Sequence, residues 1–270
     1  MIINDMKLEL EKHMNKSDVI KIWYIKEYLQ TIILKEIYEF PECKDILFYW
    51  WTATRFLFWL NRLSEDLDFA STWFDKFEEL WEFLKKKLKD FWLIVDYKIQ
   101  KFRLTLKFRE ILKKFGMKYW NSDDLYIKIE ISEHTDFLEN FEIKLYPIFK
   151  FNQSLVLKSF DETSLFSTKL NAVLYRKREK KWGEGRTISI KWRDFYDLFW
   201  YLQRWTKPNI SCIEWINNMD DLKEKLINTV QSTNFDEVEL DIKNFIENQN
   251  IIDFIKTNWK EYILEQIQSW

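Results

Sequence analysis

Asp66 and Asp68 are two carboxylates separated by one apolar residue, Leu67. A strand alternates its side chains with period two, so both acids would leave one face while Leu67 and Phe69 leave the other. Two hard oxygen donors on a rigid strand can clamp a divalent cation for phosphate chemistry. Acidic pairs of this kind are also common on exposed strands, so the surroundings decide. Upstream lies a short apolar run, Ile46 to Tyr49, then Trp50, Trp51 and Thr52, then a helical pattern from Thr52 to Trp59. A turn entering a helix N-terminus offers backbone amides and a favourable dipole to a triphosphate, and Thr52 adds a hydroxyl. Glycine at such a turn lets phosphates approach closely. Two indoles there obstruct them.

The elements that must position this stretch follow from periodicity. Residues 7 to 40 carry apolar side chains at helical spacing and divide into two helices, the second capped at Ser17 or Asp18 and ended by Pro41. Residues 74 to 91 form a third amphipathic pattern, with Lys85 to Lys87 read as a solvated face in preference to a nucleic-acid contact. Leu93 to Ile99 and Phe102 to Phe108 alternate as a strand pair turned at Gln100 and Lys101. From Asp123 to Ser132, Leu125, Ile127, Ile129 and Ile131 face a core, and Tyr126, Lys128 and Glu130 face away. Glu142 to Phe149 is a further strand. From Thr163 the pattern is helical, broken only by the basic stretch Arg176 to Lys181, which suits either RNA phosphates or a solvated loop. Helices 213–227, 236–248 and 251–267 close the chain and carry no evident chemistry. His13 and His134 read as surface and loop residues rather than ligands.

Composition bounds the function. With 42 basic and 44 acidic residues, the net charge of −2 argues against a globally basic nucleic-acid-coating protein. Cys43 and Cys212 are too few for a disulfide framework or a zinc site and suit a reducing cytosol. The N-terminus has no export-signal pattern, and the apolar run from Ile46 to Leu60 is too short for a membrane span. A cytoplasmic protein is expected. One feature is anomalous: about 19 glycines are expected at this length, yet the chain has 3 Gly and 15 Trp. The two counts together come close to the glycine expectation alone. Some bacterial lineages read UGA as glycine, whereas a common translation table writes it as tryptophan. Trp50, Trp51, Trp59, Trp120, Trp192 and Trp205 are therefore expected to be glycines in the cell. Trp73, Trp92 and Trp182 are further candidates, and Trp23 and Trp200 suit apolar helix faces as authentic tryptophans.

The block Thr52-Ala53, Arg55, Arg62, Ser64-Glu65-Asp66-Leu67-Asp68-Phe69 resembles the signature of the AbiEii family, the nucleotidyltransferase toxins of AbiE-type (type IV) toxin–antitoxin systems. That family carries Gly-Gly where this chain has Trp50 and Trp51. Two later blocks resemble it in the same order: Lys169-Leu170, Ala172 and Arg176, then Trp192-Arg193-Asp194, Asp197-Leu198. The resemblance implies an α+β fold, a nucleotidyltransferase-type mixed sheet flanked by helices, with a catalytic core over residues 1–155 and a C-terminal helical domain over 156–270.

It implies Mg²⁺ on Asp66 and Asp68, and Glu130 as a third carboxylate, though Glu130 also reads as a solvent-facing residue of an edge strand. It also implies that positions 50 to 52, Arg62 and Ser64 hold the nucleotide or its loop. Lys169 and Asp194 join the catalytic set. Lys169 could equally snorkel to the surface, and Asp194 and Asp197 could cap and ion-pair. The implied reaction moves a nucleotide from an NTP to an RNA acceptor, with a tRNA 3′ end the foremost form. A separately encoded antitoxin that need not touch the toxin is implied too. The rivals are a transferase of the same fold acting on a protein or small molecule, and a non-catalytic module if Trp50 and Trp51 are authentic.

Overall fold

A computed structural model describes residues 2–133, 140–175, 178–182, 185–189, 192–233 and 242–270. His134 and residues 236–241 of the helix expected over 236–248 lie outside them, and 243–248 are turn and irregular residues rather than the expected helix. The chain divides into two units: Met1–Leu138 with Ile143–Phe160, and Glu139–Glu142 with Asp161–Trp270.

The first unit is built on a seven-stranded mixed sheet. Its strands are β1 (Leu47–Tyr49), β2 (Leu67–Ser71), β3 (Val95–Gln100), β4 (Arg103–Phe108), β5 (Leu125–Glu133), β6 (Ile143–Lys150) and β7 (Gln153–Phe160). They run in the order β3-β4-β5-β2-β1-β7-β6. The β1–β7 and β2–β5 pairs are parallel, and the other neighbours are antiparallel. β7 was not expected from the sequence. It enters the sheet beside β1 because Phe151 and Asn152, both with positive φ, close a two-residue turn after β6.

Helix α1 (Ile2–Glu11) leads into α2 (Asp18–Glu39), which starts where the Ser17 hydroxyl accepts from the Ile20 amide. It stops at Phe40, extended before Pro41. The Tyr38 hydroxyl joins α2 to two strands, donating to the Lys158 carbonyl (2.9 Å) and accepting from the Phe48 amide (3.2 Å). Burial pushes its pKa up. Helix α4 (Phe77–Lys89) packs on β3 and β4, with Trp81 stacked on Tyr97 at 4.3 Å. Lys87 corrects the expectation of a solvated lysine run: it bridges from α4 to Glu36 (3.1 Å) and Glu39 (2.7 Å) of α2. The core face of the sheet is apolar through the middle of β2 and β5, with Leu67, Phe69, Ile127 and Ile129 fully buried, and it ends at Ser71 and Glu133.

β6 is an edge strand, which is where a proline such as Pro147 can stand in a sheet. Its Leu145 and Phe149 are largely exposed.

The second unit holds α5 (Glu162–Tyr175), a two-stranded sheet of β8 (Arg178–Trp182) and β9 (Gly185–Ser189), α6 (Trp192–Gln203), α7 (Met219–Ser232) and α8 (Gln249–Gln268). Asp161 caps α5 by accepting from the Ser164 amide at 2.9 Å, and Asn218 caps α7 the same way from Asp221. Phe166 stacked on Tyr201 at 4.3 Å locks α5 to α6. The stretch read as a basic loop is thus in part a hairpin.

Among the described residues, six of the eleven non-glycine residues with positive φ are tryptophans: Trp50, Trp59, Trp92, Trp120, Trp205 and Trp215. This left-handed region costs an L-residue about 1–2 kcal/mol and is normally filled by glycine. Trp92 (88%), Trp120 (85%) and Trp59 (78%) are also among the most exposed large side chains, so packing offsets little of that cost. A second group behaves oppositely. Trp23, Trp81, Trp192, Trp200 and Trp259 are buried on helices with ordinary backbone. Trp192 therefore departs from the glycine expectation: it heads α6 and packs on Phe195 with centroids 5.8 Å apart. The side chain of Trp182 lies outside what is described.

Candidate active site

The sheet sets the acids out in one row. Asp68 of β2 is in register with Tyr49 of β1 and Glu130 of β5, and Glu130 is in register with Arg103 of β4. Residues in register across neighbouring strands share a face, so Asp68 and Glu130 project together. Asp66 stands just ahead of β2, two residues from Asp68, and faces the same way by the strand period. Asp66, Asp68 and Glu130 are thus directed to one face of the sheet.

The acids are electrostatically matched. Lys128 lies 3.4 Å from Asp66, and Arg103 lies 2.6 Å from Glu130. Both pairs are partly exposed, so each contributes little to stability, about 1 kcal/mol or less. Their consequence is orientation: they hold the carboxylate oxygens in place over one face of the sheet. Asp68 is nearly buried. Among the described residues, no group of three His, Cys, Asp or Glu side chains converges as a metal cluster.

The stretch before the acids is fastened from inside. Helix α3 (Trp50–Phe58) begins directly after β1. The Thr52 hydroxyl bonds the Ser64 hydroxyl at 2.7 Å and donates to the Asp66 carbonyl. Thr52, Ser64 and Arg62 are all buried. Arg62 donates to the Leu63 carbonyl (3.1 Å), and its guanidinium lies 5.0 Å over the Trp51 ring. These three expected nucleotide contacts are engaged in holding the loop that carries Asp66. Trp50 and Trp51 stand at the helix N-terminus with ring centroids 5.6 Å apart.

Sequence reasoning passed over the supports behind this loop. Glu27, on α2 and almost fully buried, accepts from Arg55 at 2.7 and 3.0 Å and pairs with Lys150 at 2.7 Å. Arg55 also donates to the Leu60 (3.1 Å) and Arg62 (3.3 Å) carbonyls. Gln30 reaches the Ser64 (3.3 Å) and Glu65 (3.0 Å) carbonyls. The signal was present, in polar residues such as Glu27 and Gln30 set among the apolar residues of α2. Burial alone would raise the Glu27 pKa, but Arg55 and Lys150 outweigh it and hold the carboxylate below its ordinary 4.5. A group with a depressed folded pKa stabilises above its unfolded value and loses that contribution as pH falls. Glu27→Ala should therefore cost about 1.5–3 kcal/mol at pH 7 by removing the shared acceptor of Arg55 and Lys150, which are partly buried. Urea unfolding of both proteins should show the gap closing as pH drops below 4.5.

In the second unit, Lys169 of α5 and Asp197 of α6 are both buried, with nitrogen and oxygen 3.6 Å apart. Lys169 does not snorkel. Asp194, one turn before Asp197, is also buried. Buried charges are costly unless matched, so this lysine and these two aspartates carry a desolvation cost that their mutual pairing must offset.

A family model described as the nucleotidyl transferase AbiEii toxin of type IV toxin–antitoxin systems matches residues 52–269. The chain belongs to the AbiEii family. It is a nucleotidyltransferase, and the toxin–antitoxin class implies a nucleotide substrate and a separate antitoxin. No curated protein matches the sequence. Two solved structures are similar. One is JHP933 from Helicobacter pylori, 18% identical with a TM-score of 0.56, covering 94% of this chain and 92% of that one. The other is described as a candidate nucleotidyltransferase from H. pylori, 18% identical with a TM-score of 0.55, covering 90% of this chain and 92% of that one. At that identity they establish the AbiEii chain's fold, an α+β mixed sheet flanked by helices. No described helix is long and apolar enough to cross a membrane.

Proposed function

We propose that this AbiEii protein transfers a nucleotide from an NTP to an RNA hydroxyl, foremost a tRNA 3′ end, with Mg²⁺ held by Asp66 and Asp68. The observation that carries the reading is the row of carboxylates along β2 and β5. The donor set suits Mg²⁺, which typically takes one or two protein carboxylates and completes its shell with substrate phosphates and water. Bound there, the ion would supply charge stabilisation at the triphosphate. Glu130 stands beside the acids to accept the proton of the attacking hydroxyl. The hydroxyl oxygen bonds the α-phosphorus in line, and pyrophosphate leaves. Lys128 and Arg103 keep Asp66 and Glu130 aligned. Lys169 and Asp194 serve the same reaction, a role that rests on the motif match.

The turn at positions 50 to 52 is the phosphate cradle in this reading, and it needs glycine. Trp50 and Trp51 are accordingly glycines in the cell, written as tryptophan from UGA. The left-handed backbone at Trp50, Trp59, Trp120 and Trp205 supports this, and Trp92 and Trp215 join the set on the same ground. UGG codons at positions 50 and 51, or indole-containing peptides by mass spectrometry of native protein, would refute it. The chain would then be a non-catalytic member of the fold.

The reaction is tested with α-labelled NTPs and native protein, offered deacylated tRNA or a protein mixture. Label in tRNA, with pyrophosphate released, is the expected result. Label only in protein would overturn the RNA acceptor.

A further inference from the structure

We propose that the face of β3, β4 and β5 beside the carboxylates seats the acceptor RNA strand, with Tyr126 stacking one of its bases, an inference that rests on RNA being the acceptor. The strand register defines this surface. Arg103 stands between Glu130 and Gln100, Thr105 between Lys128 and Lys98, and Lys107 between Tyr126 and Asp96. Residues in register share a face, and Glu130 shares that of Asp68. These three rows therefore run on from the acids as one surface. None of its residues is buried, whereas Leu104, Leu106, Ile127 and Ile129 close the opposite face. Four cations, Lys98, Arg103, Lys107 and Lys128, stand on it against two acids, Asp96 and Glu130.

Three of these cations have partners: Lys107 lies 3.0 Å from Asp124, Lys128 3.4 Å from Asp66 and Arg103 2.6 Å from Glu130. Such partly exposed pairs are weak, about 1 kcal/mol or less each, so a phosphate can compete for the cation. Arg103 also keeps a donor in reserve. Its Nε–H, closed to solvent, has no acceptor among the described residues, and a phosphate oxygen would satisfy it. Tyr126 adds a second kind of contact. Its ring is 45% exposed among these charges, with the Lys107 ammonium 5.7 Å over it. Single strands are held in this manner, with bases stacked on aromatic rings and cations along the phosphates. The other border of the same sheet face is unlike it. From Tyr49, in register with Asp68, the strand period carries the surface through β7 and β6 to Val156, Ile143, Leu145 and Phe149. All four are exposed and apolar, and Lys158, the one cation there, is paired with Asp45 at 2.8 Å. A polyanion leaving the acids is therefore drawn over β4 and β3.

The test compares the full native chain with Lys98→Gln/Lys107→Gln, Tyr126→Ala and Tyr126→Phe. Fluorescence anisotropy with labelled deacylated tRNA is measured from 50 to 200 mM salt. Binding of a fluorescent NTP, thermal unfolding and label transfer into tRNA or a protein mixture are followed alongside. The double lysine variant should show a salt slope shallower by about 1.4, at about 0.7 per lost phosphate contact on a single strand. Tyr126→Ala should bind RNA at least about fivefold more weakly with the slope unchanged, because stacking carries no charge. Tyr126→Phe keeps the ring and should bind like the parent. NTP binding should match the parent in all three, with the melting temperature moved by no more than about 4 °C. RNA affinity and slope equal to the parent in every variant would overturn the seat while leaving transfer to RNA standing. A parallel loss of NTP binding would also overturn it, by placing these residues on the nucleotide. Reduced transfer into protein with RNA binding unmoved would assign the face to a polypeptide and likewise end the proposal. Variant-sensitive RNA binding without any label transfer to RNA would instead overturn the acceptor reading alone.

Discussion

Asp68→Ala, and separately Asp66→Ala, should lower nucleotide transfer at least about 1,000-fold, a loss of about 4 kcal/mol of transition-state stabilisation. Asp68 is the more constrained of the two. It lies within β2, nearly buried, with Phe69 and Leu67 anchoring the strand from the opposite face. Its removal should therefore change the chemistry without moving the backbone. Asp66 carries the second oxygen donor, and its carbonyl is also the acceptor for Thr52. The alanine variant keeps that carbonyl, so the loop should survive. The measurement is label transfer from an NTP, with the melting temperature as a control for folding. Transfer within tenfold of the parent in both variants would remove the metal assignment. Glu130→Gln separates the third acid from these two. It should depress the rate while leaving nucleotide affinity close to the parent, since Glu130 is assigned to the acceptor hydroxyl rather than to the triphosphate.

The second large effect runs the other way. The chain expressed with tryptophan at every position should bind NTP weakly, and Trp50→Gly/Trp51→Gly should raise affinity at least about tenfold. Trp50 has φ of 64°, a conformation in which glycine meets no Cβ penalty. The same change removes two indoles from the N-terminus of α3, where backbone amides would meet phosphates. Stability should rise as well, by about 1 kcal/mol from Trp50. Across the six left-handed tryptophans the strain sums to several kcal/mol, a large share of the 5–15 kcal/mol that holds a domain together. Isothermal titration with a non-hydrolysable NTP reads the affinity. If the substitution leaves it unchanged, the cradle is elsewhere.

The acidic strand was legible because its evidence is local. Asp66 to Phe69 alternates acid and apolar residues, and the strand period alone assigns the faces. β5 was legible for the same reason, with Leu125, Ile127, Ile129 and Ile131 all buried. β7 was not legible. It follows β6 through Phe151 and Asn152, a turn closed without glycine or proline, so a single asparagine is all that marks where one strand ends and the next begins. The supports of the loop were hidden for another reason. Glu27 lies 28 residues from Arg55 in sequence and over 100 from Lys150, and nothing in a linear pattern joins them. Thr52 and Ser64 were recognised as part of the signature, but their engagement with each other appears only once α3 has folded back on the loop. The tryptophans show both sides. Composition flagged the excess, whereas backbone geometry separates Trp192, at home in a helix, from Trp215, which the local sequence gave no cause to suspect.

β6 has a bearing on solubility. An outermost strand that shows Leu145 and Phe149 to solvent is the kind of border along which a second molecule can extend the sheet, and repetition of that step leads to fibrils. Pro147 sits between those two residues. It has no amide proton to offer, which leaves a gap in the template an incoming strand would need. For a protein made in a crowded cell, this one ring is a safeguard against self-association, placed where the apolar border is most inviting.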